Sequence, residues 1–309
     1  ATFPSSIFPL AMSILYTSVS IAADTIPQPL PAHNIGISAM PYEAIKYEVR
    51  DEIATVTLNR PAARNALDIQ MREELADAVM VMRNDPELKA AIITGAGGAF
   101  CAGGDIKGMT SQRSTVQNAR KRIQNIHVWL PELVNLELPV IAAVDGPAFG
   151  AGLNLALAAD FVLATPRTRF CAVFGRIGLV PDAGGFFLLP RIVGLQAAKD
   201  LIITARTFDA AEAKELGIVK EICEPDALQA RALDFAGRFR HSSREAIGMS
   251  KNILNNAFHM DQKALGELES FAQGVAMHSD YHKEATRKFI AKEPLPFDWN
   301  QMEKKAGSE

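Results

Sequence analysis

Two glycine-rich segments each follow a short apolar run. Val140–Val144 leads through Asp145-Gly146-Pro147 into Gly150-Ala151-Gly152, and Ala90–Thr94 leads into a segment that ends with Ala102-Gly103-Gly104-Asp105. Small side chains leave the main chain accessible, so amide N–H groups in such turns can approach a ligand closely. Two such turns could form an oxyanion hole, in which backbone donors stabilise the charge that develops on a carbonyl oxygen. The alternative is that each is only a tight turn that packs a strand against a helix.

Other kinds of site are not supported by the sequence. The dinucleotide fingerprint G-x-G-x-x-G fails because Phe100 and Leu155 stand where its third glycine would be, and neither G-x-x-x-x-G-K-[ST] nor G-x-S-x-G occurs. His278 and His282 are four residues apart, but they lie in a polar run that is typical of a solvated helix face. We therefore predict no metal site.

The composition is that of a globular protein. Of 309 residues, 48% are hydrophobic and 22% are charged, and the net charge of −3 gives no basic excess for nucleic acid binding. The pair Lys121-Arg122 is a small basic concentration that a solvated helix face explains. Three cysteines, an odd number without metal-ligand spacing, favour a reducing compartment, and we predict a cytoplasmic protein.

The first 39 residues differ from the rest. Ile7–Ala23 is apolar, but no lysine or arginine occurs before Lys46, so the patterns of a secretory signal and of a transit peptide are both incomplete. The apolar run is also short for a membrane span, and we predict no membrane association. We expect residues 1–39 to be an unstructured extension or a wrongly assigned start, with a weak signal peptide as the alternative.

The remaining chain predicts strands mainly in its first half and helices in its second. Ile45–Val49 and Ile53–Leu58 alternate like a hairpin, and helical spacing follows in Ala66–Arg83. Pro131 predicts a break between two helices, and the chain from Arg244 to Lys292 looks helical throughout. This distribution, with crossovers between strands and helices, predicts an α/β protein.

Four motifs follow one another along the chain: Asn59-Arg60-Pro61 with Asn65-Ala66-Leu67, Ile93-Thr94-Gly95 with Ala99 to Asp105, Pro139 to Gly146 with Gly150-Ala151-Gly152, and Pro181-Asp182-Ala183-Gly184-Gly185. In order and spacing they resemble the crotonase (enoyl-CoA hydratase/isomerase) superfamily over about Tyr42 to Phe297, with motifs most similar to phenylacetate-pathway enoyl-CoA isomerases. The resemblance implies a spiral of ββα repeats over residues 40–243. It also implies a helical trimerisation segment over residues 244–309, in a homotrimer or a dimer of trimers.

The resemblance further implies an acyl-CoA thioester substrate, with coenzyme A as part of that substrate and no separate cofactor. The two N–H donors that hold the enolate oxygen match Gly104 and Ala151. The positions that bind coenzyme A match Arg64 in the first loop, the carbonyl of Ala102 for the adenine amine, and Lys292 for the nucleotide end. Ordinary surface charge is the alternative interpretation of both cations.

The candidate acid/base group is inferred from two positions at which this chain differs from the hydratases of the family. The places of two glutamates of family hydratases hold Asn154 and Phe174, and neither side chain can transfer a proton. Asp182 is the remaining nearby carboxylate and resembles the aspartate of family isomerases, in which one carboxylate can move a proton between carbons. An apolar pocket that includes Phe174 would raise its pKa. The alternatives are that Asp182 caps a helix, and that Asn154 is satisfied within the helices or orients the thioester or a water.

We therefore predict double-bond or ring isomerisation of an acyl-CoA through a backbone-stabilised enolate, with Asp182 and Asn154 as the catalytic side chains. A hydratase with unconventional water positioning and a catalytically inactive CoA-binding relative are the alternatives. The sequence does not identify the acyl group.

Overall fold

In the computed structural model, the structure describes residues 42–106 and 115–306. The predictions for residues 1–39 lie outside this part of the chain. The described residues from 42 onward belong to one compact unit. Among them, no helix is both long enough and apolar enough to cross a membrane.

Within the described residues, nine strands form two sheets: β1 (Ile45–Arg50), β2 (Ile53–Leu58), β3 (Ala90–Gly95), β4 (Val140–Val144), β5 (Pro147–Phe149), β6 (Phe161–Ala164), β7 (Arg169–Cys171), β8 (Thr207–Asp209) and β9 (Glu221–Ile222). The larger sheet has the order β1-β2-β3-β4-β6-β9, and all its pairs are parallel except the predicted β1–β2 hairpin. In the smaller sheet, β7 lies between β5 and β8. The three-residue strands β5 and β8 were not predicted, because segments so short carry almost no periodicity.

Ten α-helices lie in the described residues: α1 (Ile69–Asn84), α2 (Val116–Val134), α3 (Ala151–Leu157), α4 (Gly185–Thr204), α5 (Ala210–Glu215), α6 (Leu228–Gly237), α7 (Arg244–Asn256), α8 (Gln262–His278), α9 (Asp280–Ile290) and α10 (Trp299–Ala306). The prediction of a break at Pro131 is wrong, since α2 continues through it to Val134. Pro131 lies in the last turn, so its missing N–H leaves only one helical carbonyl, that of the exposed His127, without its donor.

The core has two layers because the central strands are apolar on both faces, as parallel strands covered on both sides require. Every residue of β4 is buried. Its Val140, Ala142 and Val144 belong to the larger cluster, which includes buried residues of α1, α2 and α3, whereas Ile141 and Ala143 face a second cluster with α6.

The helical segment after residue 243 is joined to the sheet by an ion pair whose lysine is buried. Lys251 on α7 donates to the Asp160 carboxylate, with 2.7 Å between Nζ and Oδ2, and to the carbonyl of Leu138 at 3.2 Å. The same carboxylate oxygen accepts from the Val140 amide at the start of β4. Burial raises the pKa of Asp160 and lowers that of Lys251, so each charge depends on the other.

Candidate active site

The two glycine-rich loops of the sequence lie against each other. A Cβ atom on Gly103 would stand 2.8 Å from the carbonyl oxygen of Phe149 and 3.7 Å from the Ala151 nitrogen, and one on Gly152 would stand 2.3 Å from the Cys101 carbonyl oxygen. Cys101 is fixed by a β-bridge, in which Phe149 N–H donates to its carbonyl at 2.9 Å. Glycine is therefore required at positions 103 and 152 because two backbones pass each other closely.

This contact brings the first loop up to the start of α3, where Ala151 is the first helical residue. Leu67 N–H donates to the Gly103 carbonyl and Asp105 N–H donates to the Leu67 carbonyl, so the N–H of Gly104 points away from Leu67. Among the described residues, neither the Gly104 amide nor the Ala151 amide donates to a protein acceptor. Both are therefore candidate donors to a ligand oxygen, and their role as an oxyanion hole stays a prediction.

Asp182 lies in the loop before α4. Its Oδ1 atom is buried and has no hydrogen-bond partner in the described part of the chain. The N-cap of α4 is Gly184, and no side chain caps this helix, so the interpretation of Asp182 as a helix cap is wrong. Burial raises the pKa of the Asp182 carboxyl, and this effect outweighs the opposing charges of Arg72, Arg122 and His127.

The backbone beside Asp182 is strained. Ala183 has φ 46°, in the left-handed region that non-glycine residues rarely occupy. Gly184 follows with φ 78°. Such outliers persist only where surrounding contacts fix them, and they concentrate at functional sites.

Asn154 supplies one of those fixing contacts. Its buried side-chain amide donates to the main-chain carbonyl of Asp182, with 2.7 Å between the two atoms. A Cβ atom on Gly185 would lie 2.7 Å from the Asn154 Nδ2 atom, so the helix start and the side chain are in close contact. Asn154 thus holds the loop of Asp182, in agreement with the alternative of a satisfied buried side chain. Its catalytic role stays a prediction.

Phe174 lies at the same place in the fold. It belongs to a short 3-10 helix, Val173–Ile177, and is buried. Its ring atoms lie 3.6 and 3.9 Å from the position of a Cβ atom on Gly150, the residue that precedes α3. Phe174 therefore forms an apolar wall beside the start of α3.

Two of the three residues predicted to bind coenzyme A, Arg64 and Ala102, are neighbours in the structure. Ala102 N–H donates to the Arg64 carbonyl at 2.9 Å, and the Arg64 side chain is exposed. Asn65 holds both segments, since its side-chain amide donates to the carbonyls of Ala96 and Ala99. Lys292 is exposed and follows α9, and no contact among the described residues links it to Arg64.

Two arginines were not predicted as part of the site. Arg72 on α1 and Arg122 on α2 act on the pKa of Asp182, and the Nε atom of each is buried. The interpretation of Arg122 as part of a solvated face is therefore wrong, although the adjacent Lys121 is exposed. An arginine on an amphipathic helix is usually solvated, so its sequence position alone carries no signal of this inward placement.

Residues 48–302 match a profile of the enoyl-CoA hydratase/isomerase family. The chain belongs to this family. It is 34% identical to the short-chain-enoyl-CoA hydratase of Clostridium acetobutylicum over 80% of this chain and 95% of that protein. It is 31% identical to the 1,2-epoxyphenylacetyl-CoA isomerase of Escherichia coli over 82% of this chain and 98% of that protein.

A crystal structure of an enoyl-CoA hydratase/isomerase from Cupriavidus metallidurans superposes with a TM-score of 0.79 at 36% identity, covering 83% of this chain and 96% of that one. The crotonase superfamily and its α/β fold with a helical C-terminal part, both predicted from the motifs, are thus confirmed. The chain is an enzyme of the enoyl-CoA hydratase/isomerase family, which implies an acyl-CoA substrate. The names of its relatives include both hydratases and isomerases.

Proposed function

We propose that this enzyme isomerises an acyl-CoA thioester, shifting a double bond or rearranging a ring, with Asp182 as its acid/base. The observation that carries the proposal is the half-buried carboxyl of Asp182, which caps no helix and whose buried Oδ1 atom has no hydrogen-bond partner among the described residues. A small cavity lined by both Ala151 and Ala183 joins the start of α3 to the loop of Asp182. An ionisable side chain kept buried and without a partner beside a cavity is typical of a catalytic group.

In this mechanism the thioester carbonyl oxygen accepts hydrogen bonds from the amides of Gly104 and Ala151. The Asp182 carboxylate removes a proton from the α- or γ-carbon, and the electron pair moves onto the carbonyl oxygen as an enolate. The protonated carboxyl then returns the proton to another carbon of the same unit, and the carbonyl re-forms. Asn154 fixes the loop of Asp182, so that the carboxyl keeps its position through both proton transfers.

Hydration is the second candidate function, because relatives such as the Clostridium acetobutylicum protein carry hydratase names. Asn154 and Phe174 at the two glutamate places favour isomerisation, since neither activates water. The third candidate, a catalytically inactive CoA-binding relative, does not explain why the buried Oδ1 atom of Asp182 lacks a hydrogen-bond partner among the described residues. We keep the expectation of a cytoplasmic protein that needs no cofactor beyond the coenzyme A of its substrate.

For the coenzyme A part of the substrate we propose three contacts: the exposed cation of Arg64, the carbonyl of Ala102 and, at the nucleotide end, Lys292.

For the assembly we propose a homotrimer or a dimer of trimers formed through the C-terminal helices. Helix α8 has no buried residue, and its large apolar side chains are exposed: Phe271 is 73% exposed and Val275 is 59% exposed. Large apolar side chains that stay exposed on such a helix favour a protein partner.

The proposal is tested with two substrates. Purified protein is given a 3-enoyl-CoA, and the conjugated 2-enoyl thioester is followed by its absorbance. The same protein is given a 2-enoyl-CoA in ¹⁸O-labelled water, and label in the product is measured by mass spectrometry. Isomerisation predicts fast conjugation and no label. Rapid labelling without conjugation contradicts it in favour of hydration, and neither reaction on a panel of acyl-CoAs favours the inactive relative.

A further inference from the structure

Two inward-facing arginines lie beside the site without an assigned function. Arg72 and Arg122 line one cavity of about 280 Å³, whose other walls are mainly apolar and include Ile69, Ile126 and Trp129. The Nε atoms of both arginines are buried and have no hydrogen-bond partner in the described residues. An unpartnered buried donor on a charged group is costly, so such a pair implies a missing acceptor.

The protein does not supply that acceptor among the described residues. Neither arginine forms an ion pair with an acidic side chain there, and Arg72 makes one hydrogen bond, from Nη2 to the Leu67 carbonyl at 2.8 Å. Glu73 lines the same cavity but is exposed. The sequence of residues 107–114, Lys-Gly-Met-Thr-Ser-Gln-Arg-Ser, contains no carboxylate.

This cavity shares part of its wall with a much smaller one at the proposed reaction centre. Arg72, Ile126 and Trp129 also line the smaller cavity that reaches Ala151 and Ala183. An acyl chain whose thioester oxygen lies at Ala151 would therefore run past Ala183 toward Arg72. The carboxylates of Asp182, Asp68 and Asp105 also act on the charge of Arg72, but none of them accepts a hydrogen bond from either arginine among the described residues.

We propose that the preferred acyl group ends in a carboxylate, which Arg72 and Arg122 bind while coenzyme A lies at the other end. Guanidinium groups suit this task, because their planar donors match the two carboxylate oxygens. The positioning of the acyl chain by this contact would also fix its α- and γ-carbons beside Asp182. The inference takes the acyl path from the proposed function, although its test does not require turnover.

The test compares adipyl-CoA with hexanoyl-CoA, which differ only at the end of the acyl chain. Both are saturated and cannot isomerise, so binding is measured by titration calorimetry at neutral pH. We expect the wild-type protein to bind adipyl-CoA about 100-fold more tightly, the range for hydrogen bonds to a charged group. The ratio should fall to about tenfold or less in Arg122→Gln and in Arg72→Lys, which keeps the charge but loses the planar fork.

Lys121→Gln is the matched control, because it removes one positive charge from the same helix at an exposed position and should keep the wild-type ratio. Equal affinities of the two ligands in the wild-type protein would overturn the proposal. An equal loss for both ligands in Arg122→Gln would also overturn it and would assign the arginines to Asp182 alone. A preserved preference for adipyl-CoA in a protein without isomerase activity would instead refute only the proposed reaction.

Discussion

Replacing Asp182 with asparagine is the perturbation that separates the proposed base from its surroundings. The substitution keeps the shape of the side chain and the main-chain carbonyl that Asn154 holds at 2.7 Å, and it removes the proton acceptor together with its negative charge. General acid/base groups contribute about 100- to 10,000-fold to turnover, so kcat for a 3-enoyl-CoA should fall by that factor while KM changes little. Asp51→Asn, in the exposed β1–β2 turn, is the charge-matched control and should retain wild-type turnover.

The fold should survive this change. Burial raises the pKa of Asp182 in the folded protein, so the folded state binds more protons than the unfolded state as pH rises above the ordinary carboxyl range. The charged carboxylate therefore lowers stability at neutral pH, and the neutral asparagine should melt no lower than the wild type there. This advantage should shrink as the pH falls toward the ordinary range of an aspartate.

The pH dependence of kcat/KM is a second test of Asp182 as the base. Wild-type kcat/KM should rise with pH through the raised pKa of Asp182, since only the ionised form accepts a proton. Arg72→Gln removes a charge that favours ionisation, so the acidic limb should move to higher pH. Full turnover by Asp182→Asn would refute the assignment. A wild-type profile without an acidic limb, or a limb that Arg72→Gln does not move, would refute it as well.

Three further predictions concern the contact between the two loops, the ion pair of Lys251 and the proposed assembly. Gly152→Ala places a methyl group 2.3 Å from the Cys101 carbonyl oxygen, and this overpacking should lower the free energy of unfolding by about 1–3 kcal/mol and depress kcat/KM; unchanged values of both would contradict the loop contact. Lys251→Met removes the buried cation that holds the partly exposed Asp160 carboxylate and should cost about 1.5–3 kcal/mol in denaturant unfolding, whereas a loss below about 0.5 kcal/mol would show that the pair contributes no more than a surface ion pair. Phe271→Glu on α8 should shift the assembly to monomers in light scattering, and an unchanged mass would place the interface elsewhere.

The sequence predicted the parts of the site that depend on backbone geometry better than those that depend on side-chain direction. The glycine-rich loops were recognisable because their small residues leave the main chain accessible, whereas the structure shows that at Gly103 and Gly152 the neighbour is another backbone segment. Asp182 was recognisable from its motif, but only the structure separates it from a helix cap, because the choice of Gly184 as the cap depends on local φ and ψ angles.

The inward placement of Arg72 and Arg122 could not be predicted, because a long side chain on a helix can turn toward solvent or core from the same Cα position. The ion pair of Lys251 and Asp160 was missed for a related reason, since its partners are 91 residues apart and their contact depends on how α7 packs. Pro131 misled the prediction because proline ends a helix in most contexts, yet in the last turn it removes little.

A crystal structure with a slowly reacting acyl-CoA bound tests the central claim most directly. We predict that the amide nitrogens of Gly104 and Ala151 both lie about 2.7–3.1 Å from the thioester carbonyl oxygen, the geometry that stabilises an enolate. A carboxylate oxygen of Asp182 should then lie within reach of the α- or γ-carbon. A thioester oxygen that contacts neither amide, or an acyl chain that leaves the site away from Asp182, would contradict the account.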